Sequence, residues 1–182
     1  MRRHSRSDLF RYTGGTGFST FLKTFFSEPG YRYISYYRWV RARKNTPVIG
    51  LIARFMLRNC SHKFLFQIPY DTSIGEGFYI GHFGSIIINK DAIIGKNCNI
   101  APGVTIGQAN RGSRQGAPTL GDSVWIGVNS VIVGKITIGN NVLIAPGAYV
   151  NIDVPDNSIV VGNPATIKSR EDATVGYIQN KV

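Results

Sequence analysis

His82 is the one histidine beyond residue 66 of this 182-residue chain, and it stands between Gly81 and the pair Phe83–Gly84. Neutral imidazole, with a reference pKa of about 6.5, can take a proton from a hydroxyl group near neutral pH, so general-base work on an alcohol is the chemistry this position offers. Neither Cys60 nor Cys98, nor any serine, stands in a pattern suited to a covalent relay. Taken alone, an isolated histidine in a β-protein is more often structural. What distinguishes His82 is that it falls where a repeat is broken.

The repeat has a period of six. Aliphatic residues stand at Ile68, Ile74 and Ile80, then at Ile88, Ile94, Ile100 and Ile106, then at Leu120, Ile126, Ile132, Ile138, Ile144 and Val150. Glycine follows many of them, and a small or branched residue such as Thr72, Ala92, Cys98 or Ala148 recurs four places on. A period of six is neither helical nor that of a simple amphipathic strand. It fits one short strand and one turn per hexad, with the aliphatic side chain inward and three hexads closing a triangular coil. Two steps depart from six: the step from Ile80 to Ile88 carries His82, and that from Ile106 to Leu120 leaves a loop, 107–119, projecting from the coil.

The positioning elements are read as a basic, aromatic helical segment over 1–66, a coil over 67–168 and a polar tail over 169–182. Up to Phe66 there are thirteen Lys or Arg against Asp8 and Glu28, whereas beyond it eight basic residues balance eight acidic ones. Three helices are expected in the first segment. One carries Phe18, Phe21, Leu22 and Phe25 and ends at Pro29–Gly30; a second runs from Tyr31 to Lys44; a third starts with Thr46 as N-cap and Pro47, has Val48, Leu51, Ile52 and Phe55 as its apolar face, and ends near Asn59. The glycine cluster at 12–17 reads as a loop. These helices would cap the open end of the coil and cover its first strand. Arg32, Arg38, Arg41, Arg43, Arg54 and Arg58, set among aromatics, also suit an anionic membrane face or glycan carrier. No nucleic-acid motif accompanies the charge, so nucleic acid is not expected as a partner. No stretch reaches the roughly 20 apolar residues of a membrane span, and Met1–Ser7 lead into no apolar signal region, so a cytoplasmic chain, peripheral at most, is expected. Both cysteines are expected as unpaired thiols, and with His4, His62 and His82 the only histidines a zinc centre is not expected.

From Gln67 to Arg170 the chain resembles the catalytic domain of the serine O-acetyltransferase family of hexapeptide acyltransferases. The resemblance rests on IGEGFYIGHFGSIIIN around His82, NIAPGVTIGQ leading into the loop, TLGDSVWIG to VLIAPGAYV, and DVPDNSIVVGNPATI. It implies a left-handed parallel β-helix, a homotrimer with active sites between subunits, acetyl-CoA as donor without a tightly bound cofactor, and His82 as general base. It further implies that Gln108, Ala109, Val128, Ala145 and Pro146 contact the pantetheine arm, that Lys168 or Arg170 meets the nucleotide phosphates, and that the loop with Arg111 and Arg114 closes over donor and acceptor. Tyr79 and Phe83 would line the acceptor groove.

Four positions depart from the family pattern. An aspartate expected before the histidine is Gly81, an early aspartate is Gln67, and an Arg-His pair ahead of Pro118 is Gly116–Ala117. Those residues would serve the charged groups of an amino acid and the orientation of the histidine. With HFGSIIIN and a short basic N-terminal segment, the chain is more like the capsule, exopolysaccharide and O-antigen acetyltransferases of the same superfamily, which favours a sugar hydroxyl as acceptor. Serine O-acetylation and a non-catalytic scaffold stand as alternatives.

Overall fold

Each hexad becomes one short strand and one turn, as the period requires. The computed structural model describes residues 3–182. Three sheets form the faces of a parallel coil. The first holds β1 (Phe66–Gln67), β4 (Ile86–Ile88), β7 (Thr105–Gly107), β10 (Val131–Val133) and β13 (Tyr149–Val150). The second holds β2 (Ser73–Ile74), β5 (Ile93–Ile94), β8 (Thr119–Leu120) and β11 (Thr137–Ile138). The third holds β3 (Tyr79–Ile80), β6 (Asn99–Ile100), β9 (Val124–Ile126), β12 (Val142–Ile144), β14 (Ser158–Val161) and β15 (Thr166–Ser169). Strands within a sheet pair in parallel, so identical hexad positions stack, as in Ile88 on Ile106 and Ile94 on Leu120. The exception is β15, which turns back antiparallel on β14 and covers that edge.

The aliphatic positions from Ile68 to Val150 and the small positions from Thr72 to Ala148 are all buried. Cys98 is among them; burial pushes its thiol up to about 12, and that of Cys60 up to about 11. Both are free thiols. At the corner between the second and third sheets the chain turns through Asn97, Ser123, Asn141 and Asn157, all at positive φ, a conformation asparagine tolerates better than most residues.

Four helices precede the coil rather than three: α1 (Arg3–Thr13), α2 (Phe18–Ser27), α3 (Pro29–Arg43) and α4 (Pro47–Phe64). Met1 and Arg2, part of the basic segment read from sequence, lie outside the described residues. α1 takes in Tyr12 and Thr13, leaving the glycine loop at 14–17, and Pro29 opens α3 instead of closing α2. α4 runs five residues past Asn59. No glycine marks its end, and Leu65 takes the left-handed capping conformation instead.

The unpaired edge of the first coil is covered as expected, and the contacts are specific. The Tyr33 hydroxyl donates to the Ile68 carbonyl at 2.6 Å, the Arg38 guanidinium to the Ile74 carbonyl at 2.7 Å, and the Tyr12 hydroxyl to the Ile80 carbonyl at 3.0 Å, one for each sheet. Asp8 holds Arg38 at 2.8 Å and accepts from the Phe78 amide. Burial raises the Asp8 carboxyl above its ordinary range, against the pull of Arg38. Arg11 donates to the Gly77 carbonyl and Arg41 to that of Thr72. Arg11, Arg38 and Arg41 therefore act as caps; Arg38, buried and paired with Asp8, is withdrawn from any charged docking face, whereas Arg41 stays exposed.

The tail from Ser169 is ordered against the third sheet: Ala173, Thr174 and Ile178 are buried, the Tyr177 ring lies 4.9 Å from Trp125, and the Val182 amide donates to Asn97. Gly30 lets α3 touch the coil. A Cβ at that position would lie 2.1 Å from the Ile80 carbonyl oxygen and 2.9 Å from the Tyr12 hydroxyl. Gly30→Ala is therefore expected to destabilise the chain by about 1–3 kcal/mol, seen as a lower thermal midpoint. An unchanged midpoint would mean that α3 does not sit this close.

Candidate functional site

The two irregular steps occupy two different corners of the coil. His82 lies between β3 and β4, at the corner joining the third and first sheets, and both it and Phe83 are exposed. Gly84, at φ +144°, needs its glycine, and a Cβ there would lie 3.1 Å from Pro102 on the next coil. The extra residues thus bulge outward instead of entering the inward column, which turns His82 to the surface. Below it, the same corner passes through Pro102, Val128–Asn129 and Pro146–Gly147, linked by bonds from the Gly103 amide to Ser85, the Asn129 amide to Pro102 and the Gly147 amide to Val128. His82, Val128, Ala145 and Pro146 accordingly share one edge of the coil.

Gln108, Ala109, Arg111 and Arg114 do not. They leave β7 at the corner joining the first and second sheets, a full sheet width from His82 in the same chain. The loop is also less open than its length suggests. Ala109 and Gly116 exchange backbone bonds at 3.0 Å as a small hairpin, the Lys135 amide donates to the Arg114 carbonyl, and the Arg114 guanidinium meets Asp153 at 2.9 Å. The Thr137 amide and then Arg114 hold Asp153 below the usual carboxylate range. Arg111 stays exposed at the tip. Lys168 is exposed on β15, while Arg170 lies beside Asn157 at the far corner of the third sheet and is paired with Asp172 at 2.6 Å.

Tyr79 and Phe83 flank the His82 turn on opposite sides and do not form one groove. The Tyr79 ring packs on Tyr12 at 4.4 Å and walls a cleft of about 250 Å³ with Arg11, Asn99 and Tyr177. Phe83, 66% exposed, lies 6.3 Å from Phe64 at the end of α4, over which the Arg32 guanidinium sits. Phe64 and Tyr12 were not singled out from sequence, because nothing in the local pattern says which helix end meets which corner. Among the described residues no hydrogen-bonded partner orients the His82 ring, and no group of three His, Cys, Asp or Glu is placed to hold a metal ion.

The departures at Gly81 and Gly116 have a steric side. A Cβ on Gly81 would meet the Tyr79 ring at 3.1 Å, so an aspartate there would require that ring to shift by a few tenths of an ångström. Gly116 has φ +128°, a backbone that a side-chain-bearing residue resists, and its Cβ would meet that of Lys135 at 3.2 Å.

Residues 117–151 match the family model described as bacterial transferase hexapeptide (six repeats). Serine acetyltransferase 4 of Arabidopsis thaliana is 30% identical over 170 residues, 87% of this chain and 46% of that protein. The Escherichia coli protein provisionally named colanic acid biosynthesis acetyltransferase WcaB is 42% identical over 106 residues, 58% of this chain and 64% of that one. The solved structure of serine acetyltransferase in complex with coenzyme A from Brucella abortus superposes with a TM-score of 0.76 at 25% identity, covering 92% of this chain and 67% of that one. The chain spans about half the length of the plant serine acetyltransferases it matches. The repeat and the coil make it a hexapeptide-repeat chain, similar in sequence and fold to serine acetyltransferases and in sequence to WcaB.

Proposed function

We propose that this chain is an O-acetyltransferase that uses acetyl-CoA as donor and a sugar hydroxyl as acceptor, in the cytoplasmic assembly of a surface polysaccharide. His82 takes the proton of the acceptor hydroxyl, and the freed oxygen attacks the thioester carbonyl. A backbone N–H of the adjoining turns steadies the oxyanion, and coenzyme A leaves as a thiol, its proton returned through His82. Transfer is direct within a ternary complex. Val128, Ala145 and Pro146 along the His82 corner receive the pantetheine arm. Because Gln108, Ala109, Arg111 and Arg114 stand at another corner, they reach a His82 site only from a neighbouring subunit, which is the reason to place the site between subunits of a homotrimer. Lys168 is retained for the nucleotide phosphates; Arg170, paired and at the far corner, is the weaker candidate. The basic helical segment is read as a contact with an anionic membrane face, where polysaccharide precursors are held.

One observation favours the sugar: the places where an amino acid's charged groups would find partners are uncharged, and a side chain at Gly81 would crowd the Tyr79 ring while the backbone at Gly116, φ +128°, resists one. Phe83 and Phe64 offer instead an apolar surface beside His82, suited to the C–H face of a sugar ring. Serine acetylation remains the second reading, favoured by the names of the relatives. Coenzyme A release and product mass should be followed with serine, UDP-sugars and oligosaccharide fragments as acceptors. Transfer to a sugar is expected, with serine no better than marginally above acetyl-CoA hydrolysis. Efficient O-acetylserine formation at ordinary serine concentration would overturn the sugar assignment.

A further inference from the structure

α4 is amphipathic with its apolar side outward. Gly50, Ala53, Leu57 and Cys60 form the buried face, and the lack of a side chain at Gly50 brings the helix close to the end of α3, where a Cβ would lie 2.6 Å from the Arg43 carbonyl. On the opposite side Val48 is 70% exposed, Leu51 63% and Phe55 62%, with Ile52 and Met56 beside them. Sequence periodicity marks this stripe as the apolar face, yet the small-residue face is the one that packs on α3, because it allows closer approach. Among the described residues no helix is long and apolar enough to cross a membrane. A stripe of this kind suits an interface rather than a span.

We propose that the first three turns of α4 insert their outward apolar stripe into an anionic lipid surface. This rests on the membrane contact read above and names the element that makes it. Charge decides between occupants. No Asp or Glu occurs from Lys44 to Phe66, and Arg58 and half-buried Arg54, one turn apart, edge the stripe beside Arg43 and Lys44. A second copy of this segment would bring like charge against like, whereas an anionic headgroup layer answers both the stripe and its rim. The placement also bears on the acceptor. Phe64, which faces Phe83 beside His82, is nine residues beyond Phe55, a rise of about 14 Å along the helix. A sugar carried on a lipid phosphate would therefore come within reach of His82 while α4 lies in the headgroup layer.

The test is co-sedimentation of the full chain with vesicles of phosphatidylcholine alone and of phosphatidylcholine mixed with phosphatidylglycerol. The chain is expected to partition onto the mixed vesicles, less so at high salt. Leu51→Ser combined with Phe55→Ser is expected to weaken that partition by about tenfold or more. Sedimentation velocity without lipid and acetyl-CoA turnover should match the parent chain, so that lipid binding and acetyl transfer are judged separately. If the double variant binds lipid as well as the parent, a charge-only contact survives and the inserted stripe is overturned. If it alters the lipid-free oligomer, the stripe belongs to a second copy and the proposal fails. A parent chain that binds neither vesicle overturns the membrane contact together with the stripe, and leaves the acetyl-transfer assignment to its own assay.

Discussion

His82→Ala is expected to lower the acetyl-transfer rate by about 10²–10⁴-fold while leaving the fold intact, the range lost with a positioned general base. Folding should survive because the side chain is exposed at a corner, outside the buried column of the coil, and its bulge is held by backbone bonds such as that from the Gly84 amide to the Phe64 carbonyl. The rate should fall because no other described side chain at that corner offers a base near neutral pH. Turnover of acetyl-CoA and circular dichroism of the same preparation decide the matter. Full turnover in a folded variant would remove His82 from the chemistry and return it to a structural role.

Ile132→Asp is expected to do the opposite damage, abolishing folded protein. Ile132 is fully buried in β10, between Ile106 of β7 and Val150 of β13 in the first sheet. A carboxylate there has no cation or donor to meet, and such an unpaired buried charge costs several kcal/mol, comparable with the whole stability of a domain at roughly 5–15 kcal/mol. Soluble yield and far-ultraviolet circular dichroism are the measurements. Ser73→Asp is the control, since Ser73 points outward from β2 and its change should be nearly neutral. A well-folded Ile132→Asp chain would mean that the hexad register is wrong.

The candidate site was only half legible in the sequence. The break at His82 and the long loop were visible as departures from the period, and each does lie at a corner of the coil. Their separation by the width of the first sheet was not visible, because a period of six assigns residues to faces but does not say how far two irregular steps stand apart. Nor was the pairing of Arg114 with Asp153 or the packing of Tyr79 on Tyr12, which join residues 39 and 67 places apart in the chain.

What the sequence determined by itself was the coil: every aliphatic position of the hexads is buried, because stacking identical short strands buries the same position each time and leaves a one-dimensional pattern to be read. The helical segment has no such recurrence. α1 was missed because its residues lack a continuous apolar face, and the direction of α4's apolar face was not given because apolar periodicity marks a face without saying what covers it. Only the tertiary structure could decide that Gly50 and Ala53 face α3 while Leu51 and Phe55 face outward, and that Arg38 and Arg41 answer carbonyls of the first coil. Such contacts depend on the distance between elements, which close packing of the whole chain sets and no local pattern records.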